Sequence, residues 1–398
     1  MAWALRILVG LVVLGWLAAA LKVWRRRQDP RFVLGPGALA VDPEVRISVV
    51  VPMRDEESNV RGCLDAVLAQ DHDDVEVVVL DDGSSDSTSE LLADYAQSVV
   101  VVDGEGGPLP EGWFGKPWAL QRAQEHARGD WLVFIDADVR LAPEAVSRVV
   151  RYGMDNDLGM VTGMGTLTME TFWEKTLQPA VAGLILMGND LDDVNNPDKT
   201  DKNMASGQLL AFRRSAYDAV GQHRAVANDI LDDVGLARAC VAAGQPYHCL
   251  FMRELYTVRM YTTLSEIWHG WSKNLFAGLH YSWVVTLIVQ LYLFVTVLLG
   301  PTLVVLGASG MISREWLWWG LAQVLVMQAV RAWLDRIWGH EMIWGLTHAP
   351  ATLVVMAIII NSGLKSRGSG VSWRGRSYVL GEGPEGPTPP DSETTPPS

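Results

Sequence analysis

Apolar runs at both ends of the chain constrain its fold more than any other feature. Residues 2–23 carry only Arg6 and Lys22 as charges. Three more apolar runs follow residue 280, namely Tyr281 to Ile312, Trp316 to Leu334 and Met342 to Leu364. Each run is long enough to cross the hydrocarbon core of a bilayer as a helix. We therefore expect a transmembrane anchor at residues 1–24 and a C-terminal transmembrane region of about three helices at residues 281–364.

Basic residues indicate which side of the membrane holds the N-terminal region. The first apolar run could be a signal peptide cleaved near Ala18 to Ala20. However, Arg25 to Arg27 follow at once, and such a basic cluster stays in the cytoplasm. We favour an uncleaved anchor. The protein is then a multi-pass protein of the cell membrane, and the domain after the anchor is cytoplasmic.

The rule that basic loops stay in the cytoplasm also applies to residues 365–398, which begin with a basic segment. They end in a Pro- and Glu-rich tail that we expect to be disordered. Three complete C-terminal spans would put the basic segment on the far side of the membrane from the soluble domain. Either one apolar run is re-entrant or interfacial, or the basic segment is exported, and we favour the first alternative.

The charge balance excludes one broad class of function. The 398 residues include 46 Asp and Glu against 32 Lys and Arg, a net charge of −14. A protein that binds nucleic acid through its phosphates needs a basic surface, so we expect no nucleic acid partner. The three cysteines lack the spacing of a structural zinc site or of a disulfide scaffold.

Between the apolar ends, residues 45–280 have the pattern of a soluble α/β domain. Val-rich runs bounded by Gly, Asp or Pro predict strands at Ile47 to Val51, Val75 to Leu80, Val99 to Val102 and Trp131 to Ile135. A helix capped by Ser58 is expected between the first two strands. The resulting βαβ unit implies a parallel sheet that helices cover on both faces. Ligands of such sheets bind at the carboxyl ends of the strands.

Acidic clusters follow two of these strands. Asp81-Asp82-Gly83-Ser84 comes after the second, where a sharp turn lets carboxylates face a sugar or base hydroxyl. An ordinary capped turn would have the same sequence. Asp136 and Asp138 follow the strand that ends at Ile135. Carboxylates spaced in this way can converge on a Mg²⁺ or Mn²⁺ ion that also carries a diphosphate.

A third acidic pair, Asp232-Asp233, begins a predicted helix. A carboxylate there can accept the proton of an attacking hydroxyl. The same pair would also stabilise the helix N-terminus without taking part in any reaction. The pair follows a turn typical of nucleotide binding and two carboxylates typical of metal binding, and this order along the chain favours the catalytic interpretation.

Together these segments resemble the motifs of family 2 glycosyltransferases with the GT-A fold, a Rossmann-like α/β fold. The resemblance covers about residues 46–280 and rests on Val49 to Pro52 with Asp55 and Glu56, Val79 to Asp86, and Phe134 to Asp138. Within the family, the sequence is most similar to bacterial membrane-bound enzymes that glycosylate isoprenoid lipids, such as carotenoid- and hopanoid-associated glycosyltransferases. That similarity rests on Gly112 to Ala119, Gly207 to Leu209 with Arg213 and Arg214, Trp271 to Asn274, and Trp373 to Tyr378.

The resemblance implies a role for individual residues. Asp82 would bind the base or ribose of a UDP- or GDP-sugar, Asp138 would coordinate the metal, and Asp233 would be the general base of an inverting displacement. Asp136 would assist through the ribose or the waters of the metal. The nucleotide-sugar site would also contain Pro52, Asp55, Glu56 and Lys116, and the acceptor or diphosphate site Asp232, Gly207, Gln208, Trp271 and Lys273.

One departure from the family bears on the product. Processive polysaccharide synthases carry Gln-x-x-Arg-Trp where this chain has Ile267-Trp268-His269-Gly270-Trp271, of which only the Trp agrees. We therefore expect transfer of a single sugar, and the resemblance implies that its acceptor is an isoprenoid-type lipid in the bilayer. Leu177 to Leu191 is expected either to lie in the membrane interface and deliver that lipid or to be a buried helix of the α/β domain.

Two other functions stay open on the sequence. The first is a polyprenyl-phosphate sugar transferase, for which Arg213 and Arg214 are the candidate ligands of the acceptor phosphate. The second is a non-catalytic membrane protein that binds a nucleotide sugar and assembles a pathway complex.

Overall fold

The computed structural model describes residues 2–37, 41–366, 371–373 and 376–378. Most of the segment 365–398, including the tail 381–398 that we expect to be disordered and two of the basic residues, Arg367 and Arg374, lies outside these ranges.

The strands belong to a large sheet and two small ones. In chain order they are β1 Ile47–Met53, β2 Val75–Asp81, β3 Val100–Asp103, β4 Trp131–Ile135, β5 Val139–Leu141, β6 Met160–Met164, β7 Thr166–Leu167, β8 Leu209–Arg213, β9 Tyr247–Phe251, β10 Tyr256–Val258, β11 Val371–Trp373 and β12 Arg376–Tyr378.

The helices alternate with the strands up to β10 and then dominate. In chain order they are α1 Ala2–Arg26, α2 Val60–Leu68, α3 Thr88–Ala93, α4 Gly115–Gln124, α5 Ala145–Asp155, α6 Phe172–Gly188, α7 Leu191–Val194, α8 Arg214–Ala219, α9 Asp232–Ala242, α10 Leu264–Gly278, α11 Trp283–Leu293, α12 Leu299–Ala308, α13 Glu315–Ile337 and α14 His348–Ser366. Short 3₁₀ helices span Gln222–Val226 and Met342–Thr347, and a π-helical turn, Phe294–Leu298, joins α11 to α12.

The seven strands of the large sheet lie in the order β3-β2-β1-β4-β8-β6-β9. β1 pairs in parallel with both β2 and β4, whereas β8 is antiparallel to both of its neighbours. The chain passes from β4 of the large sheet into β5 of a second, three-stranded sheet, whose strand order is β5-β10-β7. This second sheet therefore lies beyond the carboxyl end of β4. The expected α/β, GT-A-like architecture with a mostly parallel sheet and apolar helices at both ends is confirmed.

Helices cover both faces of the large sheet. Since successive residues of a strand point to opposite faces, the residues of a central strand are buried on both sides. In β4, Val133 and Ile135 join one hydrophobic cluster, with α2 and α5. Leu132 and Phe134 join the other, with α4 and α9. This two-sided burial explains why the strand sequences are continuous apolar runs and do not alternate with polar residues.

Several predicted element boundaries were wrong. The first two strands end at Met53 and Asp81 and not at Val51 and Leu80. The helix after β1 is preceded by Asn59 and not Ser58, and no side chain caps its first turn. The third strand includes Asp103 and begins at Val100, because it is paired with β2 as far as Asp81↔Asp103.

Within the described residues, three helices are long and apolar enough to cross a membrane: Trp3–Arg26, Trp283–Ala308 and Met342–Ser366. The run Trp316 to Leu334 lies in α13, which is not among them. α13 is nevertheless packed between α1 and α12, with Trp316, Val9, Leu299 and Leu303 in one apolar cluster. Arg6 and Glu315 form an ion pair of 2.9 Å at the ends of α1 and α13.

α14 lies against only the first half of the long apolar helix that α11, the π-helical turn and α12 form. A Cβ atom on Gly363 would lie 2.8 Å from the ring of Trp283. Gln290 Nε2 donates to the Met356 carbonyl oxygen over 2.9 Å. Ala349 packs near Val297. These contacts place α14 antiparallel to residues 283–297, so its first turn ends level with the middle of the long helix.

The segment Leu177 to Leu191 joins the two parts of the molecule. It forms most of α6, whose Leu177 and Val181 pack with Ile267 of α10 and with Val355 of α14. At its end, Ile185 and Leu186 contact the second cluster of the large sheet. α6 is therefore neither an isolated surface helix nor a helix of the sheet core.

Candidate active site

The carboxyl ends of β1, β2 and β4 meet at one edge of the sheet. In the parallel register, Met53 is paired with Asp81, and Val50 with Phe134. The loops that follow these strands therefore emerge side by side. They carry Arg54 to Glu56, Asp82 to Ser84, and Asp136 to Asp138.

The two carboxylates in the acidic turn after β2 have different partners. Asp81 Oδ1 accepts hydrogen bonds from the Ser84 amide (3.0 Å) and the Ser84 hydroxyl (2.6 Å), so it fixes the turn. Asp82 Oδ2 lies 3.8 Å from Arg54 Nη1, and the same guanidinium donates to the Asp82 carbonyl oxygen. Gly83 has a φ of +69°, and a Cβ there would lie 2.2 Å from the Cα of Gly106. The turn therefore requires glycine at position 83.

Asp55 and Glu56 hold the loop after β1. Asp55 has a φ of +52°, and its Oδ1 accepts from the Ser85 amide over 2.7 Å. Glu56 Oε2 accepts from Asn59 Nδ2 over 2.8 Å. Asn59 Oδ1 in turn accepts from Arg140 Nη2 over 2.8 Å, which ties this loop to β5. With Pro52, these carboxylates line the same cavity as Asp82.

The pair after β4 combines an ion pair with an unpaired oxygen. Asp136 Oδ1 lies 2.6 Å from Lys116 Nζ. Asp138 Oδ1 is buried and has no hydrogen-bond partner within the described residues. Burial, with the charges of Asp136 and Glu56, raises the pKa of Asp138 to about 7, although Lys116 opposes the shift.

An oxygen in this state fits a divalent cation, because it is a hard ligand whose negative charge nothing nearby neutralises fully. In the part of the chain that the structure describes, no three His, Cys, Asp or Glu side chains are placed to hold a metal together. A Mg²⁺ or Mn²⁺ ion at Asp138 would therefore take its other ligands from water and from substrate oxygens.

The third acidic pair lies across the cavity at the start of α9. Asp233 Oδ2 accepts from the Gly207 amide and Oδ1 from the Val234 amide, each over 2.8 Å. Burial, followed by the charge of Asp232, raises the pKa of Asp233 to about 6, against the opposing effects of Lys116 and the two amides. Asp232 is 7% exposed, and its Oδ2 has no hydrogen-bond partner among the described residues.

Two lysines lie among these carboxylates. Burial alone would lower the pKa of Lys116, but Asp136, Asp232 and Asp233 outweigh it and hold the pKa above its usual value. For Lys273 the balance is opposite: burial lowers its pKa, and the same carboxylates offset only part of the shift. The cavity thus contains concentrated charge of both signs, suited to binding a polyanion together with a cation.

Gln208 and Trp271 continue the cavity wall. Gln208 Oε1 accepts from the Tyr256 hydroxyl over 3.3 Å, and Trp271 Nε1 donates to Gln178 Oε1 over 3.1 Å. The second bond connects α10 with α6.

All thirteen residues expected at the site line one cavity of about 2030 Å³, which we call the central cavity. It is larger than the roughly 300–1,000 Å³ of a usual small-molecule pocket. The additional volume of the cavity lies towards the apolar helices, where residues of α1, α6, α11, α13 and α14 line it. We list one from each: Trp16, Ile185, Leu293, Leu334 and Val355.

Sequence reasoning missed several polar residues of this cavity. Arg54 follows β1 directly, and its position beside Asp82 becomes visible only once β1 and β2 are paired. Arg140 and Asn59 are separated by 81 positions and meet through β5. Arg331, Asp335 and His348 lie in apolar runs, where charged side chains were themselves a signal of a site.

Arg213 and Arg214 lie at the opposite edge of the sheet. Arg213 is paired in register with Trp131 at the start of β4, roughly 13 Å of strand before Ile135. Arg213 Nη2 contacts Asp157 at 2.7 Å, and Arg214 Nε donates to the Gly129 carbonyl oxygen over 2.6 Å. Neither residue lines the central cavity, so neither is placed to bind an acceptor phosphate there.

Comparison with known proteins agrees with the geometry. Residues 48–221 match the model of glycosyl transferase family 2. The chain is 26% identical over 283 residues to 4,4'-diaponeurosporenoate glycosyltransferase of Staphylococcus aureus strain USA300, with 70% of this chain and 72% of that protein covered.

Two solved structures also match. One is a mannosyltransferase from Pyrobaculum calidifontis in complex with GDP-Man and Mn²⁺, at 18% identity and a TM-score of 0.48, covering 91% of this chain and 98% of that chain. The other is glucosyl-3-phosphoglycerate synthase from Mycobacterium tuberculosis in complex with Mn²⁺, UDP and glucosyl-3-phosphoglycerate, at 21% identity and a TM-score of 0.36, covering 57% and 76%.

Proposed function

We propose that this chain, a glycosyltransferase whose residues 48–221 form a family 2 domain, transfers a single sugar from a nucleotide-diphosphate sugar to an isoprenoid-type lipid in the cell membrane. The reaction is an inverting displacement in which the lipid hydroxyl or carboxylate attacks the anomeric carbon. The catalytic domain faces the cytoplasm, where nucleotide sugars are available.

One observation carries this proposal: a single cavity is lined by the carboxylates and lysines at the sheet edge and by helices long enough to cross a membrane. A donor that carries a diphosphate needs the first part of this lining. An acceptor that is mostly hydrocarbon needs the second. The curated relative supports a lipid acceptor, because its name states that it glycosylates 4,4'-diaponeurosporenoate.

The donor is assigned to the sheet edge. Asp82 binds the ribose or base, in the loop that Pro52, Asp55 and Glu56 shape. Lys116 and Lys273 face the diphosphate. The carboxylate of Asp136, 2.6 Å from Lys116 Nζ, keeps that ammonium group charged and directed into the site. Asp136 also remains within reach of the ribose.

Asp138 is the proposed ligand of Mg²⁺ or Mn²⁺ because its Oδ1 has no partner within the described residues. When bound there, the ion supplies positive charge beside the leaving diphosphate.

The acceptor is assigned to the side of the cavity that α9, Gln208 and Trp271 line. Asp233 takes the proton of an attacking hydroxyl as the oxygen bonds to the anomeric carbon and the bond to the diphosphate oxygen breaks. The Gly207 and Val234 amides hold both Asp233 oxygens in place for this step. A carboxylate acceptor has no proton to lose, and Asp233 then acts in positioning.

The topology of the C-terminal helices supports a basic segment on the same side as the catalytic domain. α13 runs from Glu315, beside the N-terminal end of α1, to Ile337, whose carbonyl oxygen accepts from Arg253 Nη1 over 2.8 Å. α14 then covers only the level of residues 283–297. Although α13 is less apolar than the three helices whose length and composition suit a span, it runs beside α12 from the N-terminal end of α1 to Arg253. We therefore propose that α1, α11 with α12, and α13 are the spans and that α14 is the re-entrant element.

A polyprenyl-phosphate sugar transferase is the weaker alternative. Its candidate phosphate ligands, Arg213 and Arg214, lie at the far edge of the sheet and bind other groups.

The test is sugar transfer by the full chain purified in detergent, with a panel of UDP- and GDP-sugars, Mn²⁺ or Mg²⁺, and three acceptors: geranylgeraniol, geranylgeranic acid and undecaprenyl phosphate. We expect metal-dependent transfer from one donor to the alcohol or the acid. Asp138→Asn and Asp233→Asn should each lose at least about a hundredfold in kcat with the alcohol. Asp94→Asn, the same change at an exposed ion pair with Arg61, is the matched control.

Transfer only to undecaprenyl phosphate would replace the proposal by its alternative. Donor binding without transfer to any acceptor, unaltered by Asp233→Asn, would overturn the proposed reaction.

A further inference from the structure

Three polar side chains meet among apolar helices in the wall of the central cavity. Arg331 and Asp335 of α13 are 5% and 3% exposed. Arg331 Nε donates to Asp335 Oδ1 over 2.9 Å, and Arg331 Nη1 lies 3.1 Å from Nδ1 of His348 in α14. A guanidinium can only donate, so His348 Nδ1 accepts and carries no proton. We call these three residues the Arg331 cluster.

Two atoms of the cluster are left without a hydrogen bond. Arg331 Nη2, a donor, and Asp335 Oδ2, an acceptor, are both buried and have no partner within the described residues. Leaving such atoms unpaired in the interior is unfavourable. Charged residues inside apolar helices are by default candidates for a functional site.

The position of the cluster determines which molecules can reach it. All three residues line the central cavity, the one that also contains Asp233. The cavity lining beside them includes the apolar side chains Val330, Leu334 and Val355, together with the polar side chains Thr352 and His340. The ring of His348 meets that of Trp16 edge-on at 5.9 Å. A ligand in this part of the cavity must therefore be mostly hydrocarbon.

The charge of the cluster determines which polar group such a ligand carries. Arg331 and Asp335 neutralise each other, and His348 is uncharged. Burial lowers the pKa of His340, the other basic side chain beside Asp335, so it adds no charge at neutral pH and an anion would find no unpaired cation here. The free capacity is one donor and one acceptor, which a single hydroxyl group satisfies by accepting from Nη2 and donating to Oδ2.

We infer that Arg331 and Asp335 bind a hydroxyl group of an isoprenoid-type lipid within the central cavity, in addition to the group that reacts at Asp233. The inference rests on the proposed function for the identity of the lipid class. It assigns the lipid a second polar position, so that the cavity distinguishes oxygenated isoprenoids from plain hydrocarbon chains.

The test measures lipid binding without any nucleotide sugar. The full chain in phosphatidylcholine nanodiscs is titrated with retinol, retinyl methyl ether and retinoic acid, and binding is followed by energy transfer from tryptophan. Retinol offers a donor and an acceptor, the ether only an acceptor, and the acid an anion. We expect retinol to bind about tenfold more tightly than the ether, since one hydrogen bond to a charged group distinguishes them.

The double variant R331M/D335L removes both charges and leaves neither alone in the interior. It should bind retinol and the ether equally. Arg336→Met, an exposed arginine on the same helix, is the control and should keep the preference. If the double variant does not fold, Asp335→Asn tests the same point, because an amide nitrogen replaces the acceptor and should abolish the preference.

Equal binding of retinol and ether by the unaltered chain would overturn the inference, as would tightest binding of retinoic acid or a preference that survives in R331M/D335L. Loss of retinol binding in nanodiscs containing phosphatidylglycerol would assign the site to a headgroup hydroxyl instead. Because no donor sugar is present, failure of sugar transfer leaves these outcomes unaffected.

Discussion

The backbone amide of Gly207 donates to Asp233 Oδ2 over 2.8 Å, and this bond joins the loop before β8 to the first turn of α9. A Cβ atom on Gly207 would lie 3.2 Å from Lys116 Nζ and 3.4 Å from Asp233 Oδ2. Glycine at this position lets an ammonium group and a carboxylate approach the same stretch of backbone. The proposed base and the proposed diphosphate ligand are thus held in place by one residue.

Gly207→Ala should therefore damage catalysis more than folding. The added methyl group displaces the flexible end of Lys116 by a few tenths of an ångström, and we expect kcat/KM to fall about tenfold. The melting temperature should change little. Gly35→Ala is the control, since a Cβ there meets nothing within 4 Å. Unchanged kinetics in Gly207→Ala would separate Gly207 from the site.

The raised pKa of Asp233 makes activity and stability respond to pH in opposite directions. A base must be ionised, so transfer to a hydroxyl acceptor should decline as pH falls through about 6. The folded state favours the protonated carboxyl. Its contribution to stability is therefore greatest below the unfolded pKa of about 4, and it is lost as pH rises to about 6.

Between pH 4 and pH 7, Asp233→Asn should accordingly gain roughly 1–3 kcal/mol of stability relative to the unaltered chain. An amide has only one oxygen and loses one of the bonds from the Gly207 and Val234 amides at both pH values, so the expected effect is the change with pH. Thermal unfolding at the two pH values measures the difference. Asp94→Asn should not show it. A stability difference that stays constant, or that moves the other way, between the two pH values would mean that ionised Asp233 supports the fold.

Metal binding should depend on the nucleotide. The described residues offer Asp138 but no group of three metal-binding side chains, so the diphosphate must complete the coordination shell. We expect Mn²⁺ to bind the protein alone only weakly and at least tenfold more tightly when UDP or GDP is present. Electron paramagnetic resonance of free Mn²⁺ measures both affinities. Tight binding without nucleotide, or in Asp138→Asn, would contradict the assignment.

The π-helical turn in the long apolar helix should depend on a side-chain donor. Gln323 Nε2 donates to the carbonyl oxygens of Val295 and Thr296 over 3.0 and 3.2 Å, and Trp16 Nε1 also donates to that of Thr296 over 3.1 Å. Gln323→Leu should lower stability by about 1–2 kcal/mol, measured as a lower melting temperature in detergent. Leu325→Ala, at an exposed position of α13, the helix that also contains Gln323, should have a smaller effect.

The sequence predicted the sheet edge well because the signal there is local. Each acidic cluster directly follows an apolar run, and the parallel order of β2, β1 and β4 brings the runs together. Strand bounds shifted by only one or two residues, since pairing with a neighbour and not the run itself decides where a strand ends. Asp232 and Asp233 also lie at the N-terminus of a helix, as predicted.

Partners that are distant in the chain could not be predicted. Arg331 and Asp335 lie four positions apart on one helix, but the contact of Arg331 with His348 depends on α14 packing against α13 and α11. Likewise, nothing local distinguishes Arg213 and Arg214 from site residues. They were candidates by resemblance, and the antiparallel direction of β8 places them at the other edge of the sheet.

The arrangement of α14 has a consequence for biosynthesis. Among the elements that the structure describes as lining the central cavity, α14 comes last in the chain, and its Val355 and Ile359 belong to that lining. The donor residues in the loops after β1, β2 and β4 end at Asp138, about two hundred residues before α14 begins at His348. A nascent chain can therefore form its nucleotide pocket well before the lipid compartment is closed, and the ability to retain an acceptor is the last property that the protein acquires.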